Sequence, residues 1–180
     1  MINESFVYLH VGQWGKGRYG EDRKNIAVMI KTFLQAFANQ PSPPALLLKT
    51  NGADFSHLDK DEIIKKIKQE KDKFKSADSL PSIYLLHGDL TLEQMALLYN
   101  LPKIKAMLSC THGEGFGRPL AEATCCDLPV IATGWSGQMD FLNPKQSLLI
   151  DGELKPVPKS MIWKPILVEP SKWFCADEGD

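Results

Sequence analysis

The segment Thr111 to Glu122 reads T-H-G-E-G-F-G-R-P-L-A-E. Its alternate glycines, Gly113, Gly115 and Gly117, permit close approach of a backbone to a ligand, and Pro119 suits the first turn of a helix. The apolar run Ala106 to Cys110 precedes it, so the passage reads as strand, Gly-rich loop and helix N-terminus. Free amides and a partial positive charge of about half a unit favour an anion at such a terminus, and a phosphate fits there. Glu114 and Glu122 are separated by seven residues. One carboxylate therefore lies before the helix and the other about a turn inside it, where they can grip two parts of one ligand. A carboxylate accepts paired hydrogen bonds from neighbouring hydroxyls, which vicinal diols on a sugar or a ribose present. A phosphate between two diols describes a nucleoside diphosphate sugar.

Those residues must be positioned by a scaffold, and the apolar pattern supplies one. Strands are expected at Phe6 to Val11, Ala45 to Leu48, Ile83 to Leu86, Ala106 to Cys110, Val130 to Thr133 and Ser147 to Ile150. Between them run helical patterns: Ile26 to Phe37 with spacings of three and four, a charged stretch Asp59 to Lys75, Leu92 to Tyr99, and a short turn or helix at Gly137 to Leu142. Ile63, Ile64, Ile67 and Phe74 form the only apolar stripe of the charged stretch, which marks a solvated surface helix. Six short strands alternating with helices indicate an α/β fold, a Rossmann-like, doubly wound parallel sheet of about six strands. Such sheets bind ligands at the carboxyl ends of their strands. The loops of interest therefore begin near Gly12, Thr50, Gly88, Thr111 and Gly134. Residues 1 to 150 read as one nucleotide-sugar-binding domain. Residues 151 to 180, with prolines, two tryptophans and no clear period, read as an irregular extension or connection.

The passage GEGFGRPLAEATCCDLPVIATGWSGQMDFL resembles the donor-binding C-terminal domain of retaining GT-B glycosyltransferases, the group 1 or family 4 enzymes, whose signature is two glutamates seven residues apart. Gly12 after the first strand and the basic pair Arg23-Lys24 extend the resemblance over most of residues 6 to 150. The resemblance implies one half of a GT-B fold and transfer of a sugar from a GDP- or UDP-sugar to an acceptor with retention. It implies no obligatory metal and no cofactor beyond the substrate. Glu114 is then expected on the hydroxyls of the transferred sugar, Glu122 on the ribose and Lys24 on the diphosphate, with Glu114 and Lys24 as the catalytic pair. Backbone amides of Gly115, Phe116, Gly117, Arg118 and Leu120 would line sugar and phosphates. The turn containing Asp89 and Leu90 would lie near the base, with His112 beside Glu114. Many members have Arg after the first Gly, where this chain has Gln13; Arg18 or Arg23 is expected to replace that contact. The family also has an N-terminal acceptor domain, whereas this chain opens almost directly on the first donor-domain strand. The acceptor domain or subunit is therefore expected as a partner, and the isolated chain is expected to transfer little.

Other readings are weaker. G-K-G-R-Y-G at Gly15 to Gly20 fits a dinucleotide fingerprint, but the second strand ends in Lys49-Thr50 rather than the acid that would hold an adenosine ribose. The same loop lacks the Lys-Ser/Thr of a Walker motif. Asp59-Lys60-Asp61 resembles a metal-binding D-x-D but reads as a helix start. A catalytically silent nucleotide or nucleotide-sugar module and a sugar-nucleotide epimerase-type enzyme remain as alternatives of other classes. Lys+Arg and Asp+Glu number 21 and 22, a balance that disfavours nucleic acid as a partner. Cys110, Cys125, Cys126 and Cys175 lack metal or disulfide spacing and read as buried free thiols. No apolar run reaches the ~18 residues of a transmembrane span and no signal peptide opens the chain. A cytoplasmic location follows, at the inner face of a membrane if the acceptor domain binds there.

Overall fold

The computed structural model describes residues 2–15, 17, 19–162 and 170–176. Six strands form one all-parallel sheet: β1 (Val7–Val11), β2 (Ala45–Lys49), β3 (Ile83–Leu86), β4 (Ile104–Ser109), β5 (Val130–Thr133) and β6 (Ser147–Ile150), in the order β3-β2-β1-β4-β5-β6. Four helices connect them: α1 (Ile26–Phe37), α2 (His57–Lys71), α3 (Leu92–Tyr99) and α4 (Arg118–Cys125). β1 pairs with β2 on one side and β4 on the other, so the chain reverses its direction of winding between β1 and β4. That switch point opens a crevice at the carboxyl ends of these two strands.

Alternation along the strands sorts the core into two layers. Leu46 and Leu48 of β2 pack with Ile26, Met29, Ile30, Phe33 and Leu34 of α1 and Ile63 and Ile67 of α2. Val7, Leu9, Ala45 and Leu47 point to the other layer, with Leu98 and Tyr99 of α3 and Leu120 and Ala123 of α4. All five residues of β2 are buried, as expected of a parallel strand covered on both faces.

The helix ends follow from their capping residues. Thr91 and Gln94 make a reciprocal capping box at α3. Ser56 caps α2 by accepting from the Asp59 amide. α2 is shorter than the charged stretch suggests, because residues Asp72–Phe74 tighten into a 3₁₀ turn. Of its apolar stripe, Ile63 and Ile67 are buried while Ile64 is exposed. Arg23 and Lys24 lie in the turn just before α1, whose cap is Asn25 at φ 54°. All four cysteines are free, but they are not the buried thiols expected: Cys125 is exposed on α4, and Cys110, Cys126 and Cys175 are half-buried.

The segment read as irregular folds back. β7 (Gly152–Pro156) pairs antiparallel with β8 (Lys172–Ala176) as a separate two-stranded ribbon. Its sequence shows no period because Trp173 and Phe174, adjacent in β8, are both buried. Among the described residues no helix is long and apolar enough to cross a membrane.

Asp59 serves the scaffold rather than a metal. Its carboxylate accepts from the amides of Gly52 (2.8 Å) and Ala53 (2.7 Å), and lies 2.9 Å from His87 Nε2. Burial alone would raise its pKa, but the hydrogen bonds from His87 and these loop amides outweigh it and bring the group to about 2. A depressed carboxylate contributes stability above its unfolded pKa and loses it as pH falls through the folded value. Asp59→Asn should therefore lower the unfolding free energy by about 1–3 kcal/mol at neutral pH. Denaturant titrations across pH should show the gap between wild type and variant closing between about pH 4 and pH 2.

Candidate functional site

The chemistry-bearing residues meet where β1 and β4 end. The Glu114 side chain is only 9% exposed; it accepts from Lys24 Nζ at 2.6 Å and Arg23 Nη1 at 3.0 Å. Arg23 Nη1 also donates to the Gly113 carbonyl at 3.0 Å, and Arg23 itself stays half-exposed. Burial would raise the Glu114 pKa; the Lys24 charge and hydrogen bond, aided by Arg23, hold it below the usual carboxylate value. Burial lowers Lys24, and Glu114 acts against that change. A buried carboxylate and a buried ammonium thus offset each other's lost hydration.

The surrounding loops fix this pair. The Thr111 hydroxyl donates to the Arg23 carbonyl at 3.1 Å, and the His112 amide donates to the same oxygen at 2.9 Å. The Glu114 carbonyl accepts from Ser136 Oγ at 2.8 Å and from the Gly137 amide at 3.0 Å. Gly12 lies beneath Lys24: a Cβ there would stand 3.2 Å from Lys24 Cε and 3.0 Å from His10 Nε2, so a bare backbone lets the lysine stem cross the end of β1. His10 is fully buried, and its Nδ1 donates to the Leu108 carbonyl at 2.9 Å. Burial pushes its pKa down to about 4, which keeps the ring neutral.

Above these groups lies a cleft of about 980 Å³. Gln13, Arg23, Lys24, His112, Glu114 and Gly115 all line it, together with Gly15 and Gly17 of the first loop. Arg18, the expected replacement for a missing arginine, falls outside the described residues. Gln13 lines the cleft, but its side-chain amide donates to the Gly52 carbonyl at 2.6 Å. The remaining expected residues do not line this cleft. Glu122 accepts from Tyr99 Oη at 3.0 Å and from Arg118 Nε at 3.1 Å. Burial and the Glu122 charge push the Tyr99 hydroxyl up, so it stays a donor. Phe116 is exposed and packs on Phe141, with ring centroids 5.1 Å apart. Gly117, at φ 86°, caps α4. The Leu120 amide does not face outward as expected: it donates to the Gly117 carbonyl at 2.9 Å, and the side chain is core. Asp89 accepts from the Leu90 amide in the turn after β3, and Lys49 Nζ holds that turn through the Gly88 carbonyl at 2.7 Å.

Residues from the ribbon region complete the cleft, and the sequence offered no signal for them beyond two tryptophans in a patternless tail. Ser160, Met161, Ile162, Lys172 and Trp173 form its far wall with Trp135. His112 is the fastener. Its ring stacks on Trp173 at 4.0 Å, its Nδ1 lies 2.6 Å from the Phe174 carbonyl and its Nε2 lies 3.0 Å from the Gly20 carbonyl. The histidine read as a ligand contact is thus buried and also holds β8 to the first loop.

Compared by sequence, the chain matches no protein-family model and no curated protein. Solved structures do match. The C-terminal domain of a glycosyl transferase group 1 family protein, LpcC, from Francisella tularensis aligns over 79% of this chain and 67% of its own, with TM-score 0.53 and 18% identity. HepE from Anabaena, solved in complex with UDP and glucose, aligns over 80% of this chain and 34% of its own (TM-score 0.57, 18% identity). The pneumococcal O-GlcNAc transferase GtfA, in complex with UDP and GlcNAc, aligns over 82% and 25% (TM-score 0.54, 20% identity). The chain therefore has the fold of the C-terminal half of a GT-B glycosyltransferase, and spans about a third or less of the two longer relatives.

The loop after β5 braces the Glu114 backbone through the bonds from Ser136 and Gly137 to its carbonyl. A Cβ on Gly137 would lie 2.1 Å from the Gly115 carbonyl oxygen and 2.6 Å from its carbon, so any side chain there drives the two loops apart. Gly137→Ala should lower stability by about 1–3 kcal/mol. Amide NMR shifts should change at residues 113–117 and stay unchanged in β2 and β3.

Proposed function

We propose that this chain is the donor-binding domain of a retaining glycosyltransferase that takes its sugar from a nucleoside diphosphate sugar. The observation that carries the reading is the buried carboxylate of Glu114, clasped by Lys24 and Arg23 at the crevice between β1 and β4. Each member of the clasp stands in for part of a ligand. Sugar hydroxyls would replace the cations as donors to Glu114, and the diphosphate would take Lys24 and Arg23 from the carboxylate. Opposite charges brought together before binding need little rearrangement to receive a molecule that carries both hydroxyls and phosphate.

Departure of the nucleoside diphosphate from the anomeric carbon places growing negative charge on phosphate oxygens and leaves an oxocarbenium-like sugar. A Lys24 ammonium and the amides around Gly115 to Arg118 would stabilise the first charge, and the Glu114 carboxylate the second. Groups that interact more strongly as charge develops accelerate the step. Glu122, kept in place by Tyr99 and Arg118, would hold the ribose, with the base near Asp89 and Leu90. Residues 1–150 would form the donor domain, the acceptor would be bound by a separate N-terminal domain or subunit, and the reading fits a cytoplasmic enzyme.

One observation favours a second reading, a nucleotide-sugar-binding module without catalysis. Gln13 occupies the place where the resembled family carries Arg, and its amide is committed to Gly52 rather than free for a phosphate.

Calorimetry with a panel of nucleotides and nucleotide sugars tests the reading. Lys24→Ala should weaken binding of a nucleoside diphosphate by about 10- to 100-fold, the range of a hydrogen bond to a charged group. Glu122→Ala should weaken nucleoside diphosphates and leave inorganic pyrophosphate unaffected. Binding that survives both changes would sink the assignment. Efficient transfer by the isolated chain would overturn the need for an acceptor domain, while binding without transfer even beside such a domain would favour the silent module.

A further inference from the structure

The cleft lining mixes two kinds of group: Glu114, Lys24 and Arg23 bring charge to it, and Trp135, Met161 and Trp173 bring apolar surface. Trp135 is 40% exposed. Trp173 is buried, so Trp135 is the large ring left open to the cleft, held there at a cost in hydration that an occupant would relieve.

The indole is also fixed. One face lies parallel to the Phe174 ring, with centroids 6.1 Å apart and planes 6° from each other. Phe174 is buried, and the Phe174 amide and carbonyl are bonded to the carbonyl and ring of His112, two residues from Glu114. The next residue, Ser136, adopts φ 76° and ψ −159°, a region that non-glycine residues rarely occupy. Its hydroxyl bonds the Glu114 carbonyl. Trp135 and Glu114 are therefore held in fixed relation by a strained loop on one side and a ring stack on the other.

We propose that Trp135 is the platform on which the pyranose ring of the transferred sugar lies, a subsite that rests on the donor reading above. A pyranose presents a rim of hydroxyls and a face of C–H groups. The rim suits the Glu114 carboxylate, and the C–H face suits the electron-rich face of an indole. A nucleobase is the other flat ligand that stacks on tryptophan. The sheet order places it elsewhere: the Asp89 turn follows β3 and Trp135 follows β5, four strand positions apart. At about 4.8 Å per strand the two loops are on the order of 19 Å apart, too far for a base held near Asp89 to reach the indole.

Calorimetry on the full chain with UDP, UDP-glucose, GDP and GDP-mannose tests this, comparing wild type with Trp135→Ala and Trp135→Phe. Wild type is expected to bind the sugar nucleotide more tightly than the matching diphosphate. In Trp135→Ala that sugar-dependent gain should fall by about five- to tenfold, with diphosphate affinity changed less than about twofold. Trp135→Phe should keep most of the gain, and unchanged diphosphate affinity shows that the variants are folded. A gain that survives Trp135→Ala assigns the indole to the acceptor and overturns the platform. Equal loss for diphosphate and sugar nucleotide assigns it to the nucleotide and also overturns it. Wild type that binds diphosphates with no gain from the sugar overturns the platform and leaves the donor reading standing. Wild type that binds none of the four overturns the donor reading, and the platform with it.

Discussion

A carboxylate withdrawn from water costs several kcal/mol unless cations and hydrogen bonds replace the hydration it loses. Glu114 is such a group, and much of the surrounding architecture can be derived from the requirement to keep it ionised. The cations that offset its burial come from the turn before α1, while Glu114 itself comes from the loop after β4. Those two segments are neighbours only because β4 pairs with β1. The central pairing of the sheet and the central ion pair of the site are thus one constraint seen at two scales.

Around that pair the polar groups are arranged in successive layers. Thr111 bonds the Arg23 carbonyl, the Thr133 hydroxyl bonds the Thr111 carbonyl at 2.8 Å, and the buried Gln138 amide bonds the Thr133 carbonyl at 3.0 Å. Three strand ends, β1, β4 and β5, are laced together beneath the cleft. Side chains held from behind in this manner sit in place before a ligand arrives, and this lowers the ordering cost of binding. The ribbon of β7 and β8 adds the opposite wall through His112 and Trp173, so the cleft joins a charged floor to an aromatic side.

Much of the scaffold was legible because its signals are local. The apolar runs in β2, β3, β5 and β6 mark strands and the three- and four-residue spacing of α1 marks its buried face, and the strands fall within two residues of their expected ends. The acidic cluster at Asp59 marked the start of α2 to within two residues, although the cap is Ser56 and the Asp59 carboxylate is engaged by loop amides and His87. The differences have equally specific causes. Cys125 is exposed because residue type alone does not say which face of α4 meets the core. The Leu120 amide turns inward because the first turn of α4 closes on Gly117, a detail of hydrogen bonding that no spacing rule encodes.

The glycines and paired glutamates of the loop after β4, and the basic pair after β1, were visible in the sequence because backbone clearance and charge belong to single residues and their near neighbours. The sequence by itself therefore determined the kind of sheet and the kind of chemistry available at the ends of its strands. Only the tertiary structure decided which groups meet. It set Lys24 and Arg23 on Glu114 rather than on solvent, placed Glu122 against Tyr99 outside the cleft, and brought Trp173 across the chain to His112. Such pairings join residues about 20 to 90 positions apart, and their energies depend on burial and distance, which exist only once the chain has closed on itself.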